Sequence, residues 1–302
     1  LPETKYNPLN DTTEGIFVGR DEEIKKFDEA LNSIDASKTG NIFYILSHAG
    51  MGKSRLLQKF MVMGKENGFG CHTIRNLSFG MGHDRSILRV ILSELIGFDL
   101  NDPEDTQHQT IREFIEKETL ESKDESILND IFNIHQTLQN RLILDAMTPE
   151  MRFVAKIDLV GGFIDRLCAN GPQFFGFGDL YSADETSLAI FKRLFEQTAS
   201  SRMILVASSR IDSKVLDSDF WRQKQDKHSV QVIELKPLTF EESYEVAKSS
   251  LPRSEAIIRK CVERAEGNPL FLDQLLRSAD ESFEQGSVPG SIETMMTARV
   301  DR

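Results

Sequence analysis

The run Asn41-Ile-Phe-Tyr-Ile-Leu-Ser-His-Ala-Gly-Met-Gly-Lys-Ser-Arg-Leu-Leu-Gln-Lys-Phe60 decides the fold. Asn41 to Leu46 reads as a short buried strand, and Arg55 to Phe60 has a helical pattern. Between them Gly50-x-Gly52-Lys53-Ser54 aims successive backbone N–H groups and a helix N-terminus at one point, where phosphate oxygens can sit. Lys53 adds a point charge for β and γ phosphates, and the Ser54 hydroxyl can ligate Mg²⁺. Ser47, His48, Ala49, Gly50, Met51, Gly52, Lys53, Ser54 and Arg55 therefore form the candidate phosphate cradle. The general pattern GxxxxGK[ST] asks for glycine at position 47, where this chain has serine. The plainer alternative is a Gly-rich turn that happens to precede Lys-Ser; the strand before it and the helix behind it favour the phosphate loop.

Outward from the loop, Ile24, Phe27, Ala30, Leu31 and Ile34 recur at helical spacing behind Asp21, whose carboxylate can accept from free N–H groups at a helix start. A second amphipathic helix is expected between Ser86 and Gly97, and residues 101–145 are polar and mostly helical in composition. Pro149 to Ala169 reads as a helix leading into the strand-like Phe174-Phe-Gly-Phe177, and Ser187 to Gln197 as a helix leading into Met203-Ile-Leu-Val-Ala207. Alternating strands and helices imply an α/β fold, a parallel sheet with helices on both faces. After Leu238 only helices are expected, at 241–250, 254–266 and 270–279. The chain accordingly divides into a linker over 1–14, a nucleotide-binding domain over 15–235 and a smaller all-helical domain over 236–302.

The chain has 302 residues, of which 39% are hydrophobic, enough to fill one large or two packed cores. No stretch approaches the length of a membrane-spanning helix. It opens Leu1-Pro2-Glu3-Thr4, which suggests a piece cut from a longer polypeptide or a processed start. Lys and Arg total 36 against 48 Asp and Glu, a formal charge of -12, which disfavours nonspecific nucleic-acid binding. Cys71, Cys168 and Cys261 are far apart and outside any CxxC or Cys/His cluster, so a reducing cytoplasm fits and neither a disulfide framework nor a zinc site is signalled.

A phosphate loop needs an acid at the end of a neighbouring strand to hold Mg²⁺ and orient the attacking water. Asp179, following Phe174 to Gly178, is the candidate; the alternative is a turn cap. Arg210, after the apolar strand from Met203 to Ala207, would emerge at the carboxyl edge of the sheet, where it could sense a γ phosphate or simply face solvent.

Four motifs in order, Ile16-Phe-Val-Gly-Arg-Asp-Glu-Glu-Ile24, Ser47 to Leu56, Gly178-Asp-Leu-Tyr-Ser-Ala-Asp184 and Ala265-Glu-Gly-Asn-Pro-Leu-Phe-Leu272, resemble those of STAND-type AAA+ ATPases. The chain is most similar to the modules between class III adenylyl cyclase domains and tetratricopeptide repeats, and its ending from Val288 to Arg302 is similar to theirs. This resemblance implies that Val18, Gly19 and Arg20 line the adenine side of an ATP or ADP site, that Lys53 and Ser54 serve phosphate and metal, and that Arg210 is the sensor arginine. It makes the helical domain a lid whose Pro269 packs on the base; the plainer alternatives are a turn at Gly19 and a helix N-terminus at Asn268-Pro269, where proline is welcome anyway. It also implies a cytoplasmic regulatory switch that is part of a larger signalling protein, with a cyclase domain upstream and helical repeats downstream; monomer and homo-oligomer are both left open by the sequence. The family shows two acids before Leu, then His-Trp-Ala-Asp; here position 178 is Gly, so one acid is absent and ATP hydrolysis is expected to be slow or impaired. Two alternatives stand beside the switch: a non-hydrolysing nucleotide-binding scaffold, and a DNA-associated AAA+ ATPase, against which the charge counts.

Overall fold

The computed structural model describes residues 16–37, 39–75, 87–118, 120–213, 229–250 and 255–282. The expected linker over 1–14 and the terminal run from Val288 to Arg302 lie outside the described residues. In chain order the elements are α1 (Asp21–Ser37), β1 (Asn41–Ser47), α2 (Lys53–Glu66), β2 (Gly70–Arg75), α3 (Ile87–Ile96), α4 (Glu104–Glu118), α5 (Ser122–Ile131), α6 (Leu138–Asp145) and α7 (Pro149–Asn170). They continue with β3 (Gln173–Gly178), a 3-10 turn at Leu180–Ser182, α8 (Glu185–Gln197), β4 (Met203–Arg210), β5 (Ser229–Glu234), α9 (Phe240–Ser250), α10 (Glu255–Ala265) and α11 (Pro269–Ser282).

The strands form one parallel sheet in the order β2-β3-β4-β1-β5. Side chains along β1 alternate: Phe43 and Ile45 pack with α1 and α2, while Ile42 and Tyr44 join the core beneath α3 to α8. On the first side Phe27 of α1 stacks on Phe60 of α2 with ring centroids 4.0 Å apart, so the helix before the phosphate loop and the helix behind it are locked together. The polar stretch 101–145 becomes α4, α5 and α6, which lend Ile111, Ile127, Leu128, Ile131 and Leu144 to the second core. A third core, built from Ala247, Ile258, Val262, Phe271, Leu272 and Leu275, belongs to α9 to α11 alone.

Three strands are expected from the sequence, and among the described residues there are five. Both additions are edge strands. Gly70-Cys-His-Thr-Ile-Arg75 and Ser229-Val-Gln-Val-Ile-Glu234 lack a continuous apolar run because an edge strand is only partly covered, as the 49% exposure of Val232 illustrates. A smaller correction concerns α1: Asp21 is its first helical residue, and Ile24 N–H donates to the Arg20 carbonyl. Among the described residues no helix is long and apolar enough to cross a membrane.

Candidate functional site

The strands β1, β3 and β4 all end at the same edge of the sheet, and Ser47 to Arg55, Asp179 and Arg210 lie at those ends or in the segments that directly follow them. Ser47 closes β1 in extended backbone and is buried. Gly50 and Gly52 adopt left-handed conformations, φ 80° and 91°, that a side chain would strain. Gly52 caps α2 without any side chain, so no capping oxygen occupies the first-turn N–H groups of that helix. The loop is thus a cradle of backbone donors that fits a phosphate group.

Lys53 is 8% exposed. Its Nζ donates to the Ser47 carbonyl at 3.3 Å, to Ser47 Oγ at 3.1 Å and to the His48 carbonyl at 3.0 Å, which matches the three donors of an ammonium. Ser47 Oγ in turn donates to the His48 carbonyl at 2.8 Å. Burial pushes the Lys53 pKa down; the Asp179 carboxylate opposes this, Arg210 adds to it, and Asp212 opposes it. These side chains therefore share one electrostatic neighbourhood. Ser54, the second residue of α2, is exposed, as is Arg55, whose Nη2 donates to the Ile16 carbonyl at 3.0 Å. Met51 is half-buried against the α1–α2 core, and His48 and Ala49 are exposed.

Asp179 follows β3 in the left-handed region, φ 54° and ψ 49°, which aspartate tolerates better than most side chains. Its N–H donates to Ser208 Oγ at 3.1 Å, pinning the turn to β4. The neighbouring-strand expectation needs correction, because β4 lies between β1 and β3. The acid reaches Lys53 across an intervening strand. Position 178 has the parity of Phe174 and Gly176, the face that packs on α2, where an added Gly176 Cβ would meet Leu57. A Cβ added at Gly178 would meet nothing within 4 Å.

Arg210 ends β4 opposite Ser47 in the ladder, and Ile211 N–H donates to the Ser47 carbonyl at 3.2 Å. Lys53 and the β4 terminus therefore share one carbonyl. The Arg210 guanidinium lies over the Tyr181 ring, 4.3 Å from its centroid, and Nη2 donates to the phenol oxygen at 3.3 Å.

The helical segment closes on this edge in two places. Arg20, at φ 69°, donates from Nη2 to the Lys236 carbonyl at 2.6 Å, and Glu242 of α9 lies where a Gly19 Cβ would stand. Gly19 and Arg20 are thus held against the start of the helical segment, with Val18, half-buried, just before them. At the other place, Asn268 Nδ2 donates to the Ala49 carbonyl at 3.2 Å and Leu270 N–H to the Gly50 carbonyl at 3.2 Å. Pro269, half-buried, is the first residue of α11, where its missing N–H costs nothing. Asn268 caps that helix: its Oδ1 accepts from Leu270 N–H at 3.1 Å and from Phe271 N–H at 3.2 Å.

Tyr181, Asp212, Glu242 and Asn268 are not among the residues that the sequence singles out. Asn268, ahead of Pro269 and an apolar run, is legible in the sequence as a helix N-terminus, though not as a residue of the site. Glu242 closes a capping box with Thr239, Thr239 N–H donating to its carboxylate at 2.7 Å and Glu242 N–H to Thr239 Oγ1 at 3.2 Å, a local signature that could have marked the helix start, whereas Tyr181 meets Arg210 only through the fold.

A family model described as an AAA ATPase domain matches residues 16–206. Among solved structures, the chain is similar to the ORC1 protein of Aeropyrum pernix in complex with DNA, at 12% identity and a TM-score of 0.56, covering 97% of this chain and 68% of that one. It is also similar to a mutant of Thermotoga maritima RuvB, at 11% identity and a TM-score of 0.47 over 89% of this chain and 64% of that one. AMPPCP-bound DnaA from Aquifex aeolicus gives 13% identity and a TM-score of 0.44 over 95% and 68%. The chain thus spans about two thirds of the length of these structures. At such identity the ORC1 likeness speaks to the fold. No curated protein sequence matches.

Proposed function

The chain belongs to the AAA ATPase domain family, and from that premise we propose that it is a nucleotide-controlled switch of the STAND type, in which ATP and Mg²⁺ sit between the strand ends and a helical lid whose position is the output. Membership implies nucleotide binding. The observation that carries the switch reading is that one loop serves two partners. Ala49 and Gly50 hold the helical segment through Asn268 and Leu270, while the donors of the same loop, with Lys53, form the cradle. A ligand that tightens or turns this loop acts directly on the helices.

In this reading the domain runs over 15–235 and the lid over 236–302. The loop N–H groups and Lys53 take the phosphates, Ser54 and Asp179 the metal, Val18 to Arg20 the adenine side, Pro269 the base and Arg210 the terminal phosphate. The metal, when bound, neutralises charge between the β and γ phosphates. Lys53 must exchange its bonds to Ser47 and His48 for phosphate oxygens, so binding reshapes the loop that the lid grips. Asp179 is left to serve both metal shell and water, which makes turnover slow.

The neighbouring domains implied are a cyclase upstream and helical repeats downstream in a longer cytoplasmic polypeptide. A second reading, a non-hydrolysing scaffold, is favoured by Gly178. Phosphate release at saturating ATP separates the two. The switch itself is tested by amide hydrogen exchange over residues 268–276 with and without Mg·ATP. Nucleotide that binds, as calorimetry would report, yet leaves exchange in this segment unchanged would overturn it.

A further inference from the structure

Arg210 is exposed at the end of a strand, a position where a long cation ordinarily samples many rotamers. Here the guanidinium has two contacts with one side chain, the face of the Tyr181 ring at 4.3 Å and the phenol oxygen at 3.3 Å. The ring is itself firmly placed. It sits on the 3-10 turn after β3, whose Leu180 is 1% exposed. Asp179 N–H is fixed to Ser208 Oγ at 3.1 Å, and the Asp179 carbonyl accepts from both the N–H and the hydroxyl of Ser182 at 3.0 Å. Arg210 also stands opposite Ser47, the residue that holds Lys53 Nζ, and its charge depresses the proton affinity of Lys53. The stacked pose therefore holds the guanidinium at the strand end that pairs with Ser47, within electrostatic reach of Lys53.

We propose that Tyr181 is the positioning residue for Arg210, holding the guanidinium at the mouth of the cradle so that the terminal phosphate of a nucleoside triphosphate meets a cation already in place. The inference rests on the nucleotide site described under Proposed function and adds to it the residue that sets discrimination between triphosphate and diphosphate. Tyr181 itself touches neither. Its contribution is to restrict Arg210 before the ligand arrives, so that less rotamer freedom is lost on binding.

The test is titration calorimetry of Mg·ATP and Mg·ADP on the full chain, for the wild type, Tyr181→Phe, Tyr181→Leu, Tyr181→Ala, Arg210→Ala and the double variant Tyr181→Ala/Arg210→Ala. Tyr181→Ala should lower the ATP-over-ADP affinity ratio by about three- to tenfold while ADP affinity holds, the size expected for a cation–π contact with a hydrogen bond. Tyr181→Phe, which keeps the ring, should retain most of the ratio. In the Arg210→Ala background the Tyr181 change should be silent. Tyr181→Leu keeps side-chain bulk without a π face and replaces the alanine variant if that one melts early. An unchanged ratio in both Tyr181→Ala and Tyr181→Leu, a wild type that binds ATP and ADP equally, or a Tyr181 effect that persists without Arg210 would each overturn the proposal. Loss of the site reading looks different: neither nucleotide would bind the wild type, or Lys53→Ala would leave ADP affinity intact.

Discussion

At the carboxyl end of β1 a serine stands where the phosphate-loop pattern has glycine; at the carboxyl end of β3 a glycine stands where the STAND-type pattern that the chain resembles has an acid. The first departure is absorbed. Ser47 lies in extended backbone, so no glycine is required there, and its hydroxyl takes a hydrogen bond from Lys53 Nζ at 3.1 Å. The second is not absorbed, since glycine offers no oxygen and a Cβ at position 178 would meet nothing within 4 Å. A motif position that exists for its backbone conformation can change when the conformation does not need it. One that exists for its side-chain chemistry cannot change without losing that chemistry.

The largest expected effect tests this contrast on β3. Wild-type phosphate release should fall well below about 1 per second, the low end of ordinary turnover. Gly178→Asp should raise it by at least about tenfold, because a second carboxylate divides the duties of metal shell and water between two groups. The open space at 178 makes the substitution sterically permissible. Asp179→Asn should abolish what remains. A wild type that turns over briskly, or a rate indifferent to both changes, would break the comparison.

Next in size is the β1 side. Lys53→Ala should weaken Mg·ATP by roughly 10- to 100-fold in titration calorimetry, the range of a charge-assisted hydrogen bond lost from a buried site. Unchanged affinity would remove the loop from nucleotide binding altogether.

These contrasts also separate what the sequence displays from what it hides. The strands β1, β3 and β4 are legible because they lie inside the sheet and are buried on both faces, as Phe43, Phe175 and Leu205 at 0% exposure record. The edges β2 and β5 are not, because a residue such as Val232, 49% exposed, needs no apolar partner on its outer side. Lys53, Asp179 and Arg210 can be picked out from local motifs. Asn268 meets Ala49 across 219 residues and Tyr181 meets Arg210 across 29, and no local pattern encodes approaches of that kind. The place of β4 between β1 and β3 is hidden for the same reason, since strand order is decided by crossovers rather than by any strand's own composition.

A smaller effect is expected where the lid grips the β1 loop. Asn268→Ala removes the cap of α11 and the bond to the Ala49 carbonyl. The cap alone is worth about 1 kcal/mol. Thermal melting should shift down by a few degrees, roughly 2–4 °C for a chain of this size, and residues 268–276 should exchange amide hydrogens faster. A melt shift without faster exchange there would assign Asn268 a purely local role.

The smallest effect, and the one that most sharpens the comparison, concerns Ser47 itself. Ser47→Ala or Ser47→Gly should change Mg·ATP affinity at neutral pH by less than about threefold, the loss of one neutral acceptor among three. The alkaline limb should be more revealing. Burial lowers the Lys53 pKa, so as pH rises through that lowered value the free protein loses the ammonium proton, and binding phosphate then requires proton uptake. Affinity should therefore fall with rising pH, and at a lower pH than a solvent-exposed lysine would give. The Ser47 hydroxyl accepts from the ammonium and favours the charged form. Removing it should move the alkaline fall to still lower pH, and equally for Ala and Gly, since both lack the oxygen. Calorimetric titrations of wild type, Ser47→Ala and Ser47→Gly across neutral to alkaline pH would show this displacement. Superimposable pH profiles for all three would mean that Ser47 only fills space at the end of β1, and that the first departure is tolerated for its backbone alone.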